Sequence, residues 1–264
     1  MKRLSVFFLT LMLLASLFQS CEKDTIPPVP VLPPESSFSI DYEDYNNNKS
    51  TVLLIENWLY SSMNVGFFSV IASTSMTIPS IAFRESFNHE PTYIGDQTWQ
   101  WNYEFPAIGS TYYATLNGIT LRKQKVKWEM YIDKVGDNGF NDFLWFEGTV
   151  VDSTKADWFV YENPAASQLI LQLSWNSSPD HKTSELKHTI VTQDDDDINS
   201  YIISGQNPDN ELDRYFEIYR SNGEKHINIE WSSINKNGRV KSPDYYKDEN
   251  WHCWNEKLID DWCD

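Results

Sequence analysis

Trp99-Gln100-Trp101-Asn102-Tyr103-Glu104-Phe105 puts an aromatic side chain at every second position, with a polar residue between each pair. Successive side chains on a strand point to opposite faces, so this stretch offers one aromatic face and one polar face. The same grammar recurs down the chain. Val126, Trp128, Met130 and Ile132 alternate with Lys127, Glu129 and Tyr131, and Leu169, Leu171, Leu173 and Trp175 alternate with Ile170, Gln172 and Ser174. Ile227, Ile229 and Trp231 do so with Asn228 and Glu230. Residues 97–233 therefore read as an antiparallel sheet with one face covered and one face wet.

Turn signals separate these runs. Asn117-Gly118, Asp137-Asn138-Gly139, Asn222-Gly223 and Asn237-Gly238 supply residues that tolerate positive φ, as tight hairpins require. Between them strands are expected near 98–105, 111–117, 119–133, 142–151, 156–162, 168–176, 184–192, 198–204, 213–220 and 225–233. Spacing this close leaves no room for crossover helices, which excludes parallel pairing. The fold class that follows is mainly β: an antiparallel up-and-down meander, curved or barrel-like to limit exposed edges. An internal repeat points the same way. Trp158-Phe159-Val160-Tyr161 followed by Leu171 to Trp175 parallels Phe216-Glu217-Ile218-Tyr219 followed by Ile227 to Trp231. Tyr161 and Tyr219 lie 58 residues apart, and Trp175 and Trp231 lie 56 apart.

Upstream, Phe38-Ser39-Ile40-Asp41-Tyr42 alternates like an edge strand. From Ser50, an N-cap residue type, Leu54, Trp58, Ser61, Val65, Phe68 and Ala72 fall at helical spacing. A second stripe, Val52, Ile55 and Leu59, makes most of the circumference apolar, so this helix calls for burial on most sides. Its expected place is the concave face of the sheet, against the tryptophans. Pro79 is expected to end the helix or open a loop.

The N-terminus reads as address rather than fold. Lys2 and Arg3 precede an apolar run from Leu4 to Phe18, shorter than the roughly 20 residues that span a bilayer, which is the layout of a cleaved signal peptide over residues 1–20. Leu17-Phe18-Gln19-Ser20-Cys21 resembles the lipobox of bacterial lipoproteins, and Glu22-Lys23-Asp24 resembles the acidic export signal of Bacteroidetes-type surface lipoproteins. Phe18 and Gln19 depart from the strict lipobox pattern. The resemblance implies lipidation at Cys21 and an outer-membrane location, facing the periplasm or the cell surface, with the lipid anchor making the membrane a partner. Residues 21–37 carry Pro27, Pro28, Pro30, Pro33 and Pro34 and read as a polyproline tether, leaving 38–264 as a single β-rich domain. A curved antiparallel sheet around helical elements is similar in layout to lipocalin-like and lipoprotein-carrier proteins of bacterial envelopes.

A formal net charge of −17, more negative still without Lys2 and Arg3, argues against binding nucleic acid or an anionic surface through a basic face. Aromatic residues at 15% of the chain, eleven of them tryptophan, supply the apolar bulk for a large core. Cys253 and Cys263 are expected to pair in an oxidising compartment and fix the C-terminal tail. A metal reading through His252 and the two thiolates is the rival, and it lacks a second spaced pair.

The inward face gathers Trp99, Trp101, Tyr103, Trp128, Met130, Trp158, Trp175, Phe216 and Trp231, with His188 on the apolar side of Leu186-Lys187-His188-Thr189-Ile190. These residues suit either a core that grips the helix or an aromatic cavity for an apolar ligand. Trp99, Trp101, Trp128, Met130, Trp158, Trp175, His188 and Trp231 are the candidate ligand-facing set. Asp194 to Asp197 and the Asp137–Asp142 turn have oxygen ligands but not calcium-loop spacing, and read as solvated loops. No nucleophile elbow, zinc-protease helix or phosphate loop is present, so no catalytic residue, metal or cofactor is assigned. A carboxylate pair for glycoside hydrolysis would leave no sequence spacing to find. The expected function is non-catalytic binding of an apolar small molecule or lipid. Its rivals are glycan or protein recognition by Phe159, Tyr161, Tyr113 and Tyr131 on the outer face, and a structural role in an outer-membrane complex.

Overall fold

A computed structural model describes residues 26–42, 45, 56–122, 124–192 and 196–263. Cys21 and the signal region lie outside the described residues, as do Asp194 and Asp195. Fourteen strands form one sheet in which every strand pairs antiparallel with its neighbours in sequence, and the sheet is not closed. They are β1 (Thr92–Gly95), β2 (Thr98–Ala107), β3 (Ser110–Leu121), β4 (Lys125–Lys134), β5 (Phe140–Val151), β6 (Lys155–Asn163) and β7 (Ala166–Ser177). The second half comprises β8 (Ser184–Ile190), β9 (Tyr201–Gln206), β10 (Arg214–Arg220), β11 (Lys225–Trp231), β12 (Gly238–Lys241), β13 (His252–Trp254) and β14 (Asp260–Asp261). Helices α1 (Glu56–Ser75) and α2 (Thr77–Glu85) precede the sheet, and the single turn α3 (Pro243–Tyr246) interrupts its end. The up-and-down meander and its N-terminal helix thus stand as the alternation implied.

The sheet has to curl. Its helical layer reaches β2, where the Tyr103 hydroxyl donates to the Ala82 carbonyl (2.6 Å), and β14, where Asp260 accepts the Asn57 N–H (2.9 Å). β2 and β14 are twelve strand spacings apart, which flat would be about 58 Å. α1 and α2 laid end to end reach only about 44 Å, and their axes bend by 65°.

Packing across the strands explains the tryptophan–glycine pairing of the sequence. One row of facing residues runs Trp99, Gly118, Trp128, Gly148, Trp158, Leu173, His188, Ile202, Ile218 and Ile227, each opposite the next on the neighbouring strand. Each glycine leaves the space that a neighbouring indole fills. A Cβ on Gly148 would lie 2.2 Å from Trp158 Cε3, and one on Gly118 would lie 2.9 Å from Trp128 Cζ3. Gly238 sits in the same way between Trp231 and Trp254. Asn117-Gly118, expected as a hairpin turn, therefore lies inside β3, and Asn237-Gly238 falls where the β11–β12 loop meets β12, with Asn237 in the loop and Gly238 the first residue of the strand. The turn in the run expected as one strand over 119–133 falls between Leu121 and Lys125 instead. Asp137–Gly139 and Asn222-Gly223 do lie in hairpin loops, with Asn138 and Gly223 at positive φ.

Three further differences have local causes. Four strands beyond the ten expected, β1, β12, β13 and β14, are two to four residues long, too short to show a period. Residues 38–42 belong to no strand of the sheet, and Phe38, Ile40 and Tyr42 are buried. Pro79 lies in the first turn of α2, where its missing N–H has no intrahelical role, so helix continues after a bend rather than ending. The repeated hairpins keep one register: Trp158 faces Leu173 and Ala156 faces Trp175 in β6–β7, as Phe216 faces Ile229 and Arg214 faces Trp231 in β10–β11.

Cys253 and Cys263 form a disulfide with Cα atoms 5.3 Å apart. The hairpin it closes holds Asp260 at the described start of α1, where its carboxylate accepts the N–H groups of Glu56 and Asn57. Asp197, expected in a solvated loop, is instead held by Arg220 through two hydrogen bonds of 2.8 Å. The Arg220 guanidinium also stacks over Phe67 of α1 at 3.5 Å, tying the helix to β10.

Candidate ligand clefts on the inner face

Residues 26–42 form a strap across the inner face. Proline favours polyproline II, whose three-residue turn brings i, i+3 and i+6 to one side, and Pro27, Pro30 and Pro33 are the prolines buried. The Pro27 carbonyl accepts the Trp99 indole N–H (3.1 Å), and the Pro30 ring lies over Gly118. The part of the tether that is described is therefore packed on the sheet, not free of it. Beyond a single turn of 3₁₀ helix, Phe38 wedges between β5, β6 and α2, its ring 4.5 Å from Phe146, 5.5 Å from Trp158 and 5.4 Å from Phe83. Tyr45 continues the line, 4.9 Å from Trp231 and 5.6 Å from Phe216.

This strap settles the fate of the candidate residues. Trp101, Trp128, Met130 and Trp158 are fully buried and line none of the clefts described next. They are core, covered by the strap and the helices, which corrects their assignment as ligand-facing. Trp99 is half-buried and its N–H is taken by the strap. The other three candidates each reach a cleft. Trp175 lines an apolar one of about 440 Å³ with Val31, Leu32, Pro33, Pro34, Phe87 and Val150. Trp231 lines one of about 700 Å³ with Leu186, Arg214 and Phe216. His188 lines one of about 660 Å³ between the strap and α1 and α2. All three clefts open to solvent, and Ser36 borders every one of them.

The side chains at these walls carry unmatched polarity. The indole N–H groups of Trp175 and Trp231, His188 Nε2 and the Tyr42 hydroxyl are buried without a hydrogen-bond partner among the described residues. Each such group costs about 1–3 kcal/mol of desolvation. Burial pushes the His188 imidazole down to about 3, so it is neutral at physiological pH. Burial raises the Tyr42 phenol, which stays protonated. Sequence reading missed the strap and Tyr42. The signal was present in prolines spaced three apart, followed directly by the apolar alternation Phe38, Ile40, Tyr42.

Both cysteines are consumed by the disulfide, which removes the thiolate ligands from any metal reading at His252. Among the described residues no group of three or more His, Cys, Asp or Glu side chains is placed to hold a metal ion. On the outer face the Tyr161 hydroxyl donates to Glu147 (3.0 Å), and Lys127 bridges Glu147 (3.0 Å) and Glu129 (2.7 Å). Gln100, Asn102, Asn117 and Thr115 form a hydrogen-bonded run beside them on β2 and β3. Among the described residues no single helix is long and apolar enough to cross a membrane. No protein-family model, curated protein or solved structure matches the chain.

Proposed function

We propose that this is a lipid-anchored envelope protein that binds an apolar or amphiphilic small molecule, without catalysis, in the clefts beside the strap. The observation that carries the reading is the meeting of three clefts at Ser36, one of them walled mainly by apolar side chains with serines and His181 at its edge. Pockets for small ligands are mostly apolar with a few placed polar groups, which describes these walls. Ser36 is itself exposed, so a Ser36→Trp substitution blocks the junction at little cost to the fold. Nile red displacement and native mass spectrometry of detergent-free protein test the reading. The expected result is a bound amphiphile or saturable dye uptake that Ser36→Trp abolishes. Dye uptake unchanged in Ser36→Trp sinks it. Lipid anchoring is tested by palmitate labelling, which has to vanish in Cys21→Ser.

The outer face supports a second reading, glycan recognition, because the tyrosines and the amide run there stand uncovered. Glycan-array binding lost in Tyr161→Ala supports it; an array without signal removes it.

A further inference from the structure

We propose that the cleft between the strap and helices α1 and α2 selects an uncharged, hydroxyl-bearing head group, held by His188 and Tyr42. The inference rests on the amphiphile reading and adds the chemistry of the polar end.

His188 and Tyr42 line this cleft, and His188 Nε2 and Tyr42 Oη lack a partner among the described residues, although almost every buried polar group in a folded protein has one. They come from different elements, His188 from β8 and Tyr42 from the strap. The remaining wall is rich in hydroxyls, among them Ser69, Ser73, Thr77 and Ser80. A neutral imidazole and a phenol each offer a donor or an acceptor, and a ligand hydroxyl complements both.

Charge disfavours the alternatives. A carboxylate or phosphate head would enter beside Asp41 and Glu35 in a chain of net charge −17. The nearby cation, Arg84, is already bonded to Glu35 at 3.0 Å. An ammonium head would lose its hydration against a fully buried, neutral imidazole. The apolar cleft meets this one at Ser36, so an acyl chain along the strap leads to the hydroxyl-lined end.

Isothermal titration with 1-dodecanoylglycerol, dodecanoate and dodecylammonium, all below their critical micelle concentrations, separates the possibilities. The glycerol ester is expected to bind at least tenfold more tightly than either charged probe. His188→Leu and Tyr42→Phe should each weaken the glycerol ester about fivefold or more and leave the charged probes unchanged. Both variants remove an unmatched polar atom, so neither should lower the melting temperature; a residue with only a packing role would leave the probe affinities alone. Equal binding of all three probes, abolished by Ser36→Trp, overturns the head-group assignment while the amphiphile reading stands. Tighter binding of dodecanoate or dodecylammonium overturns it likewise. No binding of any probe, or binding that survives Ser36→Trp, overturns both.

Discussion

Gly148→Ala is the sharpest probe of how this core is built. The added methyl would stand 2.2 Å from Trp158 Cε3 and 2.5 Å from the Asp157 carbonyl oxygen, against the roughly 3.5–4.0 Å at which carbon atoms rest. Relief requires movement of more than an ångström. The indole cannot supply it, because Trp158 is fully buried and its ring meets Phe38, Phe83 and Phe146 at 5.5, 5.9 and 5.7 Å. The carbonyl belongs to the β5–β6 ladder and is equally fixed. Overpacking costs typically 1–3 kcal/mol, and a site blocked on two sides belongs at the upper end, about 3 kcal/mol. For a chain of this size that lowers the melting temperature by about 6–12 °C. The same substitution at Gly66, inside α1 with nothing within 4 Å of its added methyl, should stabilise by about 0.8 kcal/mol through helix propensity alone. Urea unfolding followed by tryptophan fluorescence reads both variants on one scale. A Gly148→Ala protein within about 0.5 kcal/mol of wild type would mean that the Trp158 ring does not lie over residue 148, and the alternating row would lose its basis.

Other outcomes follow from the same structure. Phe38→Ala empties the wedge between strap, sheet and α2, and should cost about 3–5 kcal/mol while making residues 26–42 more sensitive to limited proteolysis. Asp197 is held below the ordinary carboxylate range chiefly by its hydrogen bonds to Arg220, so its folded value is depressed relative to the unfolded chain. Its contribution is present in full above the unfolded value near 3.9 and is lost as pH falls through the folded one; Asp197→Asn should cost about 2–3 kcal/mol at pH 7, with the gap closing below about pH 3.9 in urea titrations. Reducing the Cys253–Cys263 disulfide releases a short loop worth a little under 3 kcal/mol and frees the hairpin that carries Asp260, so helical circular dichroism at 222 nm should fall before the sheet melts.

What the sequence made legible was whatever depends on strand period alone. The inward set of β2, β4, β7 and β11 follows directly from alternation, and so does the place of His188 between Leu186 and Ile190. Features decided by a neighbour distant in sequence were hidden. Asn117-Gly118 and Asn237-Gly238 have the composition of hairpin turns, yet their glycines answer to indoles on the adjacent strands. In β5 a bulge opposite Met130 and Tyr131 turns both Trp145 and Phe146 inward, which no period-two count predicts. β14 is two residues long and pairs with β13 beside the disulfide, a contact that two residues cannot announce by period.

The same logic explains why core and cavity could not be told apart beforehand. An inward tryptophan packs a core when something covers it and lines a pocket when nothing does, and periodicity is silent on the covering. Here the cover is the proline strap, a segment whose composition reads as linker because prolines cannot join a ladder. They contribute instead by shape: a three-residue turn lets every third ring settle onto the sheet while Pro28, Val29 and Val31 between them remain exposed. Trp101, Trp128 and Trp158 fall beneath that cover and its helices, whereas Trp175, Trp231 and His188 fall at the clefts beside it. The line between packing and binding residues on one sheet face is drawn by where the strap crosses.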